Sequence, residues 1–166
     1  MIGEITGERG MSTQVYAKVL LAGLLAVATS AAAQPASEGV YASAAQLAAM
    51  VATTKDGSVN APAPSGPGTT MLIVRRDADG QVEVHTKLND EFVVQAGHAT
   101  VLVGGKVSGN KETAPGEWRG GVVTGAKTYL LGPGDVLWIP AGAPHQTLVK
   151  KGASFTYLAF KFEAKP

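Results

Sequence analysis

The sequence predicts an all-β fold, a small antiparallel barrel or sandwich, with one short helix ahead of it. Two observations carry the prediction. From Met71 onward, short runs rich in Val, Ile, Leu, Phe, Tyr and Thr are separated by clusters of Gly, Pro, Asn and Asp, as in strands joined by tight turns. Before that point, Ser43 to Ala52 places Leu47, Met50 and Val51 at helical spacing behind a candidate N-cap, Ser43.

The N-terminus reads as a targeting segment. Val19 to Gln34 follows Lys18, has an apolar core of about ten residues and ends in Ala31-Ala32-Ala33. That small-residue end is a secretory cleavage signature, and the run is short for a span of about 20 residues. Residues 1–33 are therefore expected to be a signal peptide cleaved after Ala33, with a periplasmic or secreted product. Met11 is an alternative start, since MSTQVYAK makes a better basic n-region than MIGEITGERG. Removing residues 1–33 takes away Arg9 and Lys18 with Glu4 and Glu8, so the net charge of +1 is unchanged. No cluster of Lys and Arg offers a nucleic-acid footprint, and no second apolar span suggests a membrane anchor. The chain has no cysteine, which excludes disulfides, thiolate metal sites and cysteine nucleophiles.

Residues 34–69 are expected to hold the helix and a Pro/Gly/Ser linker, Asn60 to Thr70, without regular structure. The barrel domain is expected over residues 70–166. Met71 to Arg76 reads as a strand, Asp77 to Gly80 as a turn, and Gln81 to Lys87 as an alternating strand pairing back in a hairpin. Glu91 to Gln95 and Ala99 to Gly105 are strands around Ala96-Gly97-His98. Val107 to Glu117 is expected to be a loop, followed by two short strands in Trp118 to Leu131. Val136 to Ile139 reads as a buried strand. Gln146 to Val149 and Ser154 to Glu163 bring the total to eight or nine strands.

The stretch GPGDVLWIPAGAPHQTL, Gly132 to Leu148, contains one of the chain's three histidines. Gly134 permits a sharp turn, and Asp135 can hydrogen-bond local backbone there. Pro140 ends the strand, Gly142 lets the chain reverse, and Pro144 stiffens the approach to His145. This is a strand–turn–strand unit that presents one imidazole to an interior face.

The spacing Gly134, Pro140, Gly142, His145 resembles the second motif of the cupin superfamily, G-x5-P-x-G-x2-H-x3-N, with Val149 in place of the last Asn. Upstream, Gly80 to Gly97 gives a degraded match to the first motif, G-x5-H-x-H-x3,4-E-x6-G. In the preferred register Glu83 and His85 stand at the two histidine positions and Asp90 at the glutamate. In the other register His85 is the first histidine, Lys87 replaces the second, and Glu91 is the carboxylate. The resemblance implies a cupin-type antiparallel β-barrel, or jelly roll. It also implies a divalent metal, iron, manganese, zinc or nickel, held by His85, His145, Asp90 and Glu83. Alternation puts Glu83 and His85 on one strand face, and a nitrogen–oxygen donor set suits those metals.

Lys87, Phe92, Tyr129 and Trp138 are candidates to line the pocket, with core packing as the competing role for Phe92 and Trp138. His98, in a turn, reads as solvent-exposed. No G-x-S-x-G elbow occurs, and no Gly-rich run precedes a helix, so serine hydrolysis and phosphate cradling lack support. Two functions follow from the resemblance. One is a metal-dependent enzyme of the dioxygenase, isomerase or decarboxylase type. The other is a binding module that holds a small molecule without metal, which the eroded first motif favours. The resemblance further implies a homodimer, with Ser154 to Glu163 or the helix supplying the contact.

Overall fold

In the computed structural model, which describes residues 39–165, Ser43 caps the helix α1 (Ala44–Met50). The expected targeting segment lies outside the described residues. The Ser43 hydroxyl accepts from the Gln46 amide at 3.2 Å and the Gln46 side chain accepts from the Ser43 amide at 2.8 Å, a reciprocal capping box. Among the described residues no helix is long and apolar enough to cross a membrane.

Thirteen strands follow among the described residues. They are β1 (Ser58–Ala63), β2 (Thr69–Arg76), β3 (Glu83–His85), β4 (Leu88–Gly97), β5 (Ala99–Val103), β6 (Lys106–Ser108) and β7 (Lys111–Ala114). Then come β8 (Glu117–Arg119), β9 (Val122–Thr124), β10 (Lys127–Leu131), β11 (Val136–Ile139), β12 (His145–Leu148) and β13 (Phe155–Glu163). One sheet has the order β1-β2-β13-β4-β11, the other β10-β5-β12-β3-β8-β7, and β6 pairs with β9 alone. Every pairing is antiparallel. The two larger sheets do not join into a closed ring of hydrogen bonds.

The core lies where alternate residues of both sheets point inward. Phe155, Tyr157 and Ala159 of β13 meet Phe92 and Val94 of β4, Leu137 and Ile139 of β11, and Val101 of β5. Each large apolar side chain fully buried here stabilises the fold by about 1.5–3 kcal/mol. Contrary to expectation, β11 is not buried throughout but alternates: Leu137 and Ile139 are inside while Val136 and Trp138 are exposed. It lies at a sheet edge with one face to solvent, which requires period-two alternation.

Three other expectations are corrected. The segment Asn60 to Thr70 is not all linker, because β1 pairs with β2 from Ser58↔Arg76 to Ala63↔Met71. Its Pro62 is tolerated because β1 is an edge strand, where a missing N–H breaks no ladder. Residues 107–117 contain strand rather than loop, since β6 pairs with β9 and β7 with β8. The residues of β7 are exposed on both faces, so no hydrophobic period marks it. Finally, β2 and β3 do not form a hairpin. They lie in different sheets, and the connection between them is tied to the β12 region instead. The Gly80 amide donates to the Thr147 carbonyl at 2.8 Å, and the Val149 amide donates to Asp79 at 2.8 Å.

Gly97, the last fixed glycine of the first motif, has φ +76°, and a Cβ there would lie 1.9 Å from the Ser154 carbonyl oxygen. That contact is with backbone and has no side chain to yield. Gly97→Ala should therefore cost more than about 2 kcal/mol, measured by urea unfolding, with the larger cost falling on the β4–β13 register.

Candidate functional site

The candidate site lies between the two larger sheets and is assembled from cross-strand pairs. In the β3–β8 ladder Glu83 faces Arg119 and His85 faces Glu117. In the β12–β3 pairing His145 faces Glu83. In the other sheet Lys161 faces Asp90 directly across the β13–β4 ladder. Directly opposed side chains of opposite charge are the favourable case in antiparallel pairs.

The turn before His145 explains its placement. The Ala143 amide donates to the Pro140 carbonyl at 3.1 Å, and Gly142 between them has φ +80°, a conformation that suits glycine. The Gly142 amide then donates to the His85 carbonyl at 2.8 Å, which ties the two histidine-bearing segments together. His145 Nδ1 lies 3.2 Å from the Ala143 carbonyl. Only a protonated Nδ1 can donate to that carbonyl, which leaves Nε2 as the ring's free acceptor. His145 Nε2 is buried, has no hydrogen-bond partner among the described residues, and lies 3.5 Å from Asp90 Oδ2 and 3.9 Å from Glu83 Oε2. Burial lowers this imidazole's proton affinity despite the two nearby carboxylates.

His85 is held from the other side. Its Nδ1 is 2.7 Å from Glu117 Oε2, and its Nε2 is 2.9 Å from Lys161 Nζ. Arg119 in turn donates to Glu117 at 2.9 Å. A proton on Nδ1 shared with Glu117 turns the Nε2 lone pair inward, toward the ammonium. Burial opposes charge on this ring, but hydrogen bonding to Asp90 and Glu83 outweighs it and raises the ring to about 9. A second proton would sit on Nε2, 3.3 Å from Asp90 and 3.5 Å from Glu83, where Lys161 now donates. In either protonation state a positive charge lies between His85 and the carboxylates.

Asp90 is 2 % exposed. Both its oxygens accept from Lys161 Nζ, at 2.6 and 2.8 Å. Burial by itself would raise its pKa, but His85 and Lys161 prevail and lower it. Glu83 accepts from Arg76 at 3.0 Å and lies 3.5 Å from Arg119. Burial would raise Glu83 as well, yet His85, Arg119, His145 and Arg76 hold it far below the ordinary carboxylate range. Arg76 also donates to the Tyr157 hydroxyl at 3.2 Å.

Glu83, His85 and His145 each bring a ligating atom within 4.8 Å of the others, as a metal site requires. The buried, partnerless Nε2 of His145 and the nitrogen–oxygen donor set fit a divalent transition metal. Asp90 stands beside them. A cavity of about 180 Å³ adjoins the cluster, bordered by Arg76, Glu83, Asp90, Arg119 and Lys161 on its polar side. Leu72, Val74, Phe92 and Ala159 border its apolar side.

The expected site residues are thus distributed unevenly. His85, His145, Asp90 and Glu83 converge, and Asp90 rather than Glu91 faces inward. Phe92 borders the cavity. Lys87 does not, since it is exposed just past the end of β3, where its carbonyl accepts from the Ala164 amide. Trp138 is half exposed and packs on Phe162 outside the core, ring centroids 5.2 Å apart. Tyr129 packs at the margin of the core beneath Lys127. Val149, at the motif's Asn position, is a core residue. Arg76, Glu117, Arg119 and Lys161 also belong to the site, and the sequence reading does not single them out. Two of them carry a readable signal: Lys161 shares parity with Phe155, Tyr157 and Ala159, and Arg76 with Leu72 and Val74.

Removing one charge of the Asp90–Lys161 pair strands the other. Asp90→Asn should cost about 3 kcal/mol at neutral pH, the usual scale for breaking a buried pair. Asp90 has a lowered pKa in the folded state, so its contribution is present above about pH 4 and is lost as the pH falls below it. The stability gap between wild type and Asp90→Asn, measured by denaturant titration, should therefore narrow from about pH 5 toward about pH 2.

Comparison with known proteins bears on the fold. Residues 119–165 match the family model described as the AraC-like ligand binding domain. No curated protein matches the chain. The protein TT1209 from Thermus thermophilus is similar in structure, with a TM-score of 0.55 and 16% identity over 76% of this chain and 98% of that one. A conserved protein from Klebsiella pneumoniae with a double-stranded β-helix domain gives a TM-score of 0.52 and 12% identity, covering 74% and 83% of the two chains. The cupin domain of Cnp3 from Schizosaccharomyces pombe gives 0.49 and 12% identity over 66% and 67%. Identities this low concern the fold alone. The two facing antiparallel sheets and the likeness to the Klebsiella pneumoniae protein agree that the chain has a double-stranded β-helix fold.

Proposed function

We propose that this chain is a metal-dependent cupin acting on a small organic molecule, with Glu83, His85 and His145 as metal ligands and Asp90 beside them. The observation that carries the reading is His145 Nε2, a buried acceptor with no partner among the described residues, its tautomer set by the Ala143 carbonyl. A bound divalent metal would supply Lewis acidity or redox chemistry with oxygen, and oxygenation, isomerisation and decarboxylation fall within that range. The protein's own residues supply orientation. Glu117 fixes the His85 ring, and Arg76 and Arg119 steady Glu83. Leu72, Val74, Phe92 and Ala159 give the cavity a dry wall, and the paired charges opposite favour a polar head. At about 180 Å³ the cavity is smaller than the roughly 300–1,000 Å³ usual for drug-sized ligands, so the substrate is a molecule of few heavy atoms. The partial match to a ligand-binding domain supports small-molecule recognition.

We further propose that the chain is exported, with cleavage after Ala33, on the strength of the apolar run and its Ala-rich end. A mature N-terminus at Gln34 in a periplasmic or culture fraction is the expected result of N-terminal sequencing.

A second reading is a metal-free binding module built on the same cavity. Lys161 favours it, since its ammonium already bonds Asp90 and His85. Metal analysis by mass spectrometry separates the two. The untagged protein should carry about one transition metal per chain, and the His85→Ala/His145→Ala double variant none. Wild-type protein that stays metal-free after loading would leave the binding module as the function.

A further inference from the structure

We infer that Lys161 is an internal cation that holds the metal's place, so that a metal ion enters this site by evicting an ammonium group. The inference rests on the metal-dependent reading above and concerns how that site is controlled. Lys161 Nζ lies 2.9 Å from His85 Nε2 and 2.6 and 2.8 Å from the two oxygens of Asp90. His85 is one of the three residues able to ligate a metal here, its Nε2 faces inward, and Asp90 stands beside it, so an ammonium on His85 Nε2 and a divalent ion at the same nitrogen exclude each other.

Charge makes the exclusion stronger. The carboxylates of the cluster are Glu83, Asp90 and Glu117, and the cations are Arg76, Arg119 and Lys161. With His85 Nε2 accepting from Lys161, as the 2.9 Å contact requires, and with His145 neutral, these groups balance without a metal, and a proton on His85 would only add to the positive side. Adding a divalent ion while Lys161 stays in place would leave two uncompensated positive charges between the sheets, in a medium that screens poorly. Moving Lys161 out relieves part of that excess and frees the His85 lone pair in the same motion.

The two partners differ in their freedom to move. Asp90 is 2 % exposed and enclosed between β13 and β11, whereas the Lys161 side chain is 18 % exposed and borders both the cavity and an outer groove. Lysine carries its charge on a flexible four-carbon stem, so the ammonium can leave while the carboxylate stays to face the ion. Lys161 is thus a positioning residue in the metal-free state, keeping Asp90 and His85 oriented and the space between the sheets neutral.

Two measurements on the untagged protein test this. The first is the dissociation constant for Zn²⁺, and separately Mn²⁺, in wild type, Lys161→Met and Lys161→Gln. Both variants should bind at least about tenfold more tightly than wild type. The second needs no variant: amine acylation followed by peptide mass spectrometry should show Lys161 protected without metal and labelled several-fold more once Zn²⁺ is bound. Equal or weaker binding in the variants, with Lys161 labelling unchanged by metal, would overturn the inference and leave the metal site standing. Absence of metal binding in wild type and both variants would remove the metal-dependent reading and this inference together.

Discussion

Asp90 is the constraint around which the interior is arranged. A carboxylate with almost no access to water cannot remain ionised alone; His85 lies beside it, and the counter-charge comes from Lys161, directly across the ladder. That pairing brings an ammonium into contact with His85, whose other nitrogen is engaged by Glu117, itself bonded to Arg119. Arg119 and Arg76 then meet at Glu83. The result is one connected set of charges spanning both sheets, in which each group has an opposite number. Buried charge of this kind contributes little net stability, but loss of any single member leaves a neighbour uncompensated. The network therefore defines the site's geometry more than it strengthens the fold.

The stability comes from elsewhere in the same space. Phe155, Tyr157, Ala159, Phe92 and Val94 use the inward positions of β13 and β4, and the polar residues continue those same inward rows. Along β13 the row runs Phe155, Tyr157, Ala159, Lys161, from deep core to cavity mouth. On β2 it runs Leu72, Val74, Arg76. Core and site are thus one surface whose character changes along the strand, and apolar packing holds the charged end in register.

That continuity also explains what could be read from the sequence. Local spacing before His145 is legible because a turn is a local object: Pro140, Gly142 and Pro144 act on their own neighbours. Glu83, His85 and Asp90 are legible through alternation and the spacing to Gly97. Lys161 and Arg76 carry the same parity signal, but a charge at the end of an apolar row is easily taken for the point where the row emerges into solvent. Glu117 and Arg119 leave no such trace, since their role depends on β8 lying beside β3, a pairing between segments about 30 residues apart. Lys87 is close in sequence to His85, yet the strand ends before it and leaves it facing outward. The exposed strand β7 and the proline-bearing edge strand β1 offer no hydrophobic period to detect.

The hydrogen bond from the Gly142 amide to the His85 carbonyl has a wider consequence. It joins two segments distant in sequence at the point where each delivers its imidazole. The turn and β3 are consequently bonded to each other where they deliver the two rings, whose centroids lie 5.3 Å apart. Both imidazole donors thus come from one sheet, joined by this bond and by the β3–β12 pairing. The opposing sheet brings Asp90 and Lys161 to face them, so the distance between the sheets, not the turn, decides how the carboxylate meets the two rings.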